Sequence, residues 1–507
     1  MFWDLETMLD SKHPLFLLAN LINWKSFEDA FAPLYCKDNG RRAKPIRLMV
    51  GLLVLKHLRN VSDEMVVAQF TENAYYQYFC GMDAFTTKRP CVPTELVEFR
   101  RRIGESGIEL ILKESIRVNI ALEDRKKEEE DKKNHKDGRG RKTDAEQTAF
   151  IDSTVQEKNV TFPTDSKLLN RIIDFCHAAA KAEKLKIRQS YAKEIKELKR
   201  IQRFRGRKNS SQKVKKADRR MRTIAGRLLR ELERLLPEEN PYQERIDVSM
   251  KFVKGEKIDG HKIYSLHEPD VLCISKGKDY KKYEFGNKVS IVRLWNGLIV
   301  GAMSFRNEYD GHTIDASMEQ VGRIYGRKVK ILAADRGYRG QATCGEAKVM
   351  IPDVPKSSDT AHAKKKKHEL FRKRAGIEPV IGHCKSDHRM DRNFYKGLFG
   401  DSINVMLAAL AFNFKRAMRV LLCPIRMAFW WLFIGRNGRR EPRFLSPRGL
   451  TALYAVAASL FEGGLFTMKA SAILNMDKNS TPIRLSTHRT TSCASFTTTD
   501  IPMNLNL

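Results

Sequence analysis

Three acidic side chains have the type and the setting for phosphodiester chemistry. Asp152 closes the apolar run Thr148-Ala149-Phe150-Ile151, Asp335 closes Val329-Lys330-Ile331-Leu332-Ala333-Ala334, and Glu378 heads a helix-like stretch. Cutting a phosphodiester needs a nucleophile made from water and a leaving oxygen stabilised as charge builds on it. Two divalent ions about 3.5–4 Å apart supply both. Mg²⁺ or Mn²⁺ takes oxygen ligands, so three carboxylates are an adequate set for two such ions. The third acid stands in the pattern Arg374-x3-Glu378-x6-Lys385. Arg374, with its planar fork, and Lys385, as a point charge, are the expected phosphate ligands. Taken singly, an acid at a strand end is more often a turn residue bonding its own backbone.

The elements that must position these residues follow from the pattern around them. Strands are predicted at Val271–Ile274, Lys288–Trp295 and Leu298–Phe305, with Asn296-Gly297 as the hairpin turn between the last two. A helix over Asp315–Tyr325 precedes the strand that stops at Asp335. Three strands, a helix, then a strand ending in an acid predict an α/β arrangement whose functional edge lies where strands terminate. Glu378 and Lys385 are two helical turns apart and share a face if their segment is helical. Pro379 constrains that helix. Either it begins at Glu378 or Pro379, with Arg374 on the approach, or it is kinked. Lys364–Lys367 reads as a basic run in a loop, and an amphipathic helix over Ile403–Val420 closes the region.

Upstream, Pro45 to about Ile120 reads as short helices. Pro45 suits a first turn, Ser62 is an N-cap followed by Asp63 and Glu64, and a third helix runs from Pro93 to Arg100-Arg101-Arg102-Ile103-Gly104. Such helices with a basic edge suit a DNA-binding domain in which Arg100, Arg101 and Arg102 meet phosphate; the competing reading is a bundle whose arginines are merely solvated. Residues 121–146 mix both charges and read as a flexible linker. Between Lys181 and Leu236 stand 21 Lys and Arg against 6 Asp and Glu. Met221, Ile224, Leu228, Leu232 and Leu235 step by three and four, so this part is an amphipathic helical hairpin turning at Arg205–Ser211, with a cationic solvated face suited to tracking phosphates.

The whole chain carries the same bias: 507 residues hold 93 Lys and Arg against 61 Asp and Glu, a net charge of +32, which selects a polyanionic partner. Apolar residues at 42% supply a core and exclude wholesale disorder. The nine cysteines are scattered without a C-x-x-C pair, which argues against zinc ribbons and disulfide scaffolds. Asp4, Glu6 and Asp10 do not suit a secretory leader, and the late apolar stretches Leu421–Ile434 and Leu450–Phe461 are too short to span a membrane. A cytoplasmic, nucleoid-associated protein is expected. Asn479–Leu507, rich in Ser and Thr, reads as unstructured.

On these residues the chain resembles the DDE transposases of bacterial insertion sequences, in the group called the insertion-sequence-five family. Phe150-Ile151-Asp152-Ser153-Thr154 is similar to the family's first-acid strand, Ala333-Ala334-Asp335-Arg336-Gly337-Tyr338 to its second motif, and Arg374-x3-Glu378-x6-Lys385 to its Y-x2-R-x3-E-x6-K signature, with Phe371 in place of the tyrosine. The resemblance takes in the N-terminal helices and ends near Leu422. It implies an α/β RNase-H-like catalytic core, a mixed sheet with flanking helices, carrying a long basic helical insertion, plus an N-terminal all-α domain. The expected boundaries are 1–120 for DNA binding, 121–146 for the linker, 147–422 for the core with its insertion at about 170–240, and 423–507 for a poorly ordered tail. It further implies Asp152, Asp335 and Glu378 as catalytic metal ligands for two Mg²⁺ or Mn²⁺ ions, and double-stranded DNA, both terminal inverted repeats and target, as partner. A homodimer or higher oligomer would act on the ends by hydrolysis and then strand transfer. The alternative is a catalytically inactive DNA-binding protein derived from such an element.

Overall fold

The computed structural model describes residues 4–36, 43–133, 147–204, 211–275, 281–306, 308–340, 342–353 and 360–434. The expected tail from residue 435 onward, the remainder of the linker at 134–146 and the turn at 205–210 lie outside them.

The N-terminal part is helical: α1 Leu5–Met8, α2 Pro14–Leu21, α3 Trp24–Phe31, α4 Ile46–Leu58, α5 Asp63–Glu72, α6 Ala74–Phe79 and α7 Pro93–Lys133. Ser62 caps α5 as expected, its hydroxyl accepting from the Met65 N–H at 3.2 Å. The aromatic residues Tyr75, Tyr76, Tyr78 and Phe79 form a separate helix, because Asn73 turns extended and caps α6 through the Tyr76 N–H. Gly104 breaks α7 with φ at 65°, a conformation that favours glycine. Beyond it α7 runs to Lys133, so the first half of the expected linker is helix. It is held down by partners that its composition conceals: Glu123 accepts from Asn296 and Arg416, and Asp124 pairs with Arg327 at 3.0 Å.

The sheet comprises β1 Thr148–Lys158, β2 Leu272–Ser275, β3 Tyr283–Leu294, β4 Ile299–Phe305, β5 Ile331–Ala333, β6 Thr343–Cys344, β7 Ala347–Met350 and β8 Arg392–Asn393. Among the described residues, four helices fall between β1 and β2, namely α8 Asp165–Ala182, α9 Ala192–Gln202, α10 Ser211–Leu235 and α11 Gln243–Lys254. α12 Thr313–Tyr325 follows β4, and α13 Ala361–Ala375, α14 Ile377–Asp387 and α15 Gly397–Ile434 complete the described chain.

β1 lies at the centre, antiparallel to β3 and parallel to β5. β4 flanks β3, and β7 runs parallel beyond β5. This is the expected mixed sheet with flanking helices. β1 is longer than its apolar run, and Asp152 sits inside it. Two of the extra residues are polar but inward-facing: Gln156 and Lys158 are buried and meet Asp401, Asn404 and Glu268. Gly286 of β3 lies so close to β1 that an added Cβ would stand 1.9 Å from the Gln156 carbonyl oxygen, which excludes any other residue there.

One apolar core runs from the N-terminal helices (Leu15, Phe27, Leu52, Phe70, Ile111) through the sheet (Phe150, Ile291, Val300) to α15 (Leu407, Phe414). The boundary near residue 120 is therefore one of element type and not of packing. The helices between β1 and β2 have a second core, in which Met221, Ile224, Leu228 and Leu232 are buried as their spacing predicts, against Leu169, Ile172 and Ile246. No helix among the described residues is long and apolar enough to cross a membrane.

Candidate active site

β1 and β5 run parallel with Phe150 opposite Ala333, and Asp152 and Asp335 each follow two residues further on. Asp335 has left the strand. It caps the short 3₁₀ turn Arg336–Tyr338, its Oδ1 accepting from the Gly337 N–H at 2.8 Å. Asp152 Oδ1 accepts from the Ser153 N–H at 2.9 Å. These amide bonds fix the carboxylates and leave the other oxygen of each for a partner. That partner is Arg374, whose Nη2 lies 3.1 Å from Asp152 Oδ2 and 3.6 Å from Asp335 Oδ2.

Arg374 occupies the last turn of α13, not a loop approach, and the basic run Lys364–Lys367 is in the same helix. α13 ends at Ala375, and α14 starts at Ile377, one residue ahead of Glu378. Pro379 thus sits in a first turn, where no helical donor is lost. Arg293 of β3, over the Phe150 ring, donates to the Lys373 carbonyl and fills the space beside Gly376. It pins the junction from which Arg374 and Glu378 project. Glu378 and Lys385 lie on α14 at the two-turn spacing; Glu378 is exposed and Lys385 half-buried.

The acids also influence one another electrostatically. Burial pushes the Asp152 carboxyl up to about 6, Arg374 opposes this, and the charges of Asp335 and Glu378 add to it. The third acid, distant in sequence, is therefore within electrostatic reach of the first. Tyr338 is buried against the same group, and burial with the charges of Asp310 and Asp152 pushes its hydroxyl up as well. The donor set is all oxygen and mutually repulsive, which is what a hard dication relieves, so these residues fit Mg²⁺ or Mn²⁺. Among the described residues no three acids already stand close enough to share an ion; a guanidinium bridges two of them.

A titration follows from this shift. An acid whose folded value is raised above its ordinary one favours folding at low pH, and that contribution is lost as pH rises through the folded value. Ion-free protein is expected to lose up to about 3 kcal/mol of stability from this group between pH 4 and 7. Asp152→Asn should flatten that part of the profile, read as melting temperature against pH; identical slopes in the two proteins would reject the assignment.

A fourth acid, Asp310, belongs to the same cluster. It opens the 3₁₀ turn Asp310–His312 after β4, pairs with Lys288 at 3.0 Å, and has its Oδ2 3.3 Å from where a Cβ on Gly337 would stand. The signal that marks Asp335, an acid shortly after an apolar strand, marks Asp310 too, with Phe305 as the strand's end.

The three arginines at the end of the first segment of α7 separate. Arg100 is a correction: it is buried, forks onto both Asp63 oxygens at 2.8 and 3.0 Å, and so presents no free edge to phosphate. Arg101 is exposed and pairs with Glu98 at 3.2 Å, while Arg102 lies exposed over the Tyr35 ring.

Comparison with known proteins bears on this arrangement. Residues 3–102 match the family described as Transposase domain (DUF772), and residues 253–414 match the family described as Transposase DDE domain. Asp335 and Glu378 fall inside the second match, whereas Asp152 and the helices α8 to α10 fall outside both. An uncharacterized protein, ORF8 in the nfe locus of Rhizobium meliloti, is 33% identical over 189 residues, which is 37% of this chain and 83% of that protein. No solved structure matches.

Proposed function

The chain belongs to the DDE transposases of insertion sequences, and on that footing we propose that it hydrolyses the phosphodiester at the ends of such an element and joins the freed 3′-OH to target DNA. The observation that carries this reading is the Arg374 guanidinium bridging Asp152 and Asp335 while the charge of Glu378 bears on Asp152. Asp152, Asp335 and Glu378 would hold two Mg²⁺ or Mn²⁺ ions in an RNase-H-like core, with Asp310 beside them. When bound, such ions lower the pKa of an attacking water and stabilise the leaving oxygen.

The chain's own residues prepare the site for that chemistry. The Ser153 and Gly337 N–H groups hold one oxygen of each aspartate, which keeps the second oxygen aimed at the shared space. Arg374 keeps a buried Nε without a hydrogen-bond partner among the described residues, a donor suited to a phosphate oxygen once the acids turn to other cations. Lys385, Arg101 and Arg102 are the accompanying phosphate ligands. The helices α8 to α11 act as a basic insertion that tracks the DNA backbone, and the N-terminal helices read the terminal inverted repeats. At least two protomers bring two ends together in the nucleoid.

The test is a strand-transfer assay on linear DNA carrying both element ends, with Mg²⁺. Cleavage at the ends followed by joined products is expected. Cleavage without joining would leave a nuclease on the same fold, and end binding without cleavage would identify an inactive DNA-binding relative.

A further inference from the structure

Beyond α14 the chain passes Arg389, β8 and the first turns of α15, and this stretch walls a cavity of about 590 Å³ against α4, α5 and α7. The Tyr395 ring lines it, with the Lys56 ammonium 4.7 Å and the Arg100 guanidinium 4.6 Å from its centre. Around it stand two aromatic rings that are not covered: Phe394 is 58% and Phe399 39% exposed. Arg389, Lys396 and Arg101 share the lining, and the Arg389 guanidinium lies 5.8 Å from the Phe394 ring.

Exposed phenylalanines on a loose tip would mean little. This stretch is anchored. Lys158, buried at the end of β1, donates to the carbonyls of Tyr395 at 2.8 Å and Gly397 at 3.0 Å. The Gly397 N–H donates to Glu268, and Asn393 donates to Asp401. Arg389 is held at φ 65°, a conformation that an arginine seldom adopts. Five cations, Lys56, Arg100, Arg101, Arg389 and Lys396, line the cavity against two carboxylates, Asp63 and Glu64, and Asp63 is already shared by Lys56 and Arg100.

A π-face flanked by guanidinium and ammonium groups is the arrangement that stacks a base and meets its phosphates. A purely apolar partner would cover Arg389 and Lys396 without supplying an anion, at a cost that an apolar contact does not repay. We propose that this cavity binds an unpaired nucleotide of the DNA, its base on Phe394 and Phe399 and its flanking phosphates on Arg389 and Lys396. The assignment rests on the reading of DNA as substrate. It does not share the acids' position, since β1 carries the chain six residues from Asp152 to Lys158, about 20 Å at the usual strand rise.

The probe is a short single strand carrying one 2-aminopurine, added to full-length protein in EDTA. Stacking should quench its fluorescence. The double variant Phe394→Ala/Phe399→Ala, which removes exposed rings only, should bind the strand at least about tenfold more weakly and lose the quench, while Phe394→Trp retains both. Arg389→Gln with Lys396→Gln should lower the salt dependence by about two phosphate contacts. A fully paired duplex should bind the wild type and the double-alanine variant alike. Equal single-strand binding by wild type and the double-alanine variant would overturn the proposal, as would a change in self-association alone, which would assign the face to a second copy. Asp335→Asn should bind the strand as wild type does; if joining fails in every assay while the quench persists, the enzymatic reading falls and this site stands.

Discussion

Asp335→Asn is expected to lower end cleavage by about 10³-fold or more while leaving end binding within about twofold. The magnitude follows from the several kilocalories per mole of charge stabilisation that a ligated dication contributes at the leaving oxygen, at 1.36 kcal/mol per tenfold in rate. The selectivity follows from the surroundings. Asp335 is 41% exposed and lies at a strand end, so no buried partner is stranded when its charge goes. Asparagine keeps the oxygen that caps the Gly337 N–H, and the turn should persist. Arg374 loses one of its two carboxylates and keeps Asp152. Cleavage and DNA retention measured on the same preparation check this, and cleavage at wild-type rate would remove Asp335 from the ligand set.

Lys158→Met is expected to destabilise the fold by about 3–5 kcal/mol, the usual range when one member of a buried ion pair is removed. The Lys158 side chain is 2% exposed, and its ammonium lies 3.0 Å from Asp401 and 3.5 Å from Glu268. Asp401 is wholly buried and also accepts from Asn287 and Asn393 at 2.6 Å each. Without the cation, burial pushes the Asp401 carboxyl further up, in the direction it already leans. Methionine approximates the volume, so the loss reports charge and hydrogen bonding rather than a cavity. Urea unfolding is the measurement, and adding Asp401→Asn should recover part of the loss. A change below about 1 kcal/mol would show that the network is not a determinant of stability.

Much of this architecture is legible in the chain because apolar runs and turn residues are local signals. The Asn296-Gly297 hairpin, the Ser62 cap, the α10 stripe and the strands before Asp152 and Asp335 all declare themselves within a few residues. What stays hidden depends on partners distant in sequence. β1 reads as ending at Asp152 because Gln156 and Lys158 are polar, and only Asp401, more than 240 residues later, makes them interior residues. Arg100 reads as one of three equivalent arginines until Asp63 is beside it. Charges at Glu123 and Asp124 read as linker until Arg416 and Arg327 meet them. In the candidate site the spacing of Arg374, Glu378 and Lys385 is readable, whereas the bridge from Arg374 to both aspartates is a property of the sheet register.

The imidazoles of His57 on α4 and His388 just past α14 each bond the other's backbone carbonyl, at 3.2 and 3.0 Å, and burial pushes both below the ordinary histidine range. Asn60 adds a bond to the Ser386 carbonyl. This reciprocal clasp ties the segment expected to grip the element's ends to the helix that carries Glu378. A chimera that imports foreign N-terminal helices would have to bring along a matching seat after the acid-bearing helix, since each histidine of the clasp bonds backbone supplied by the other side.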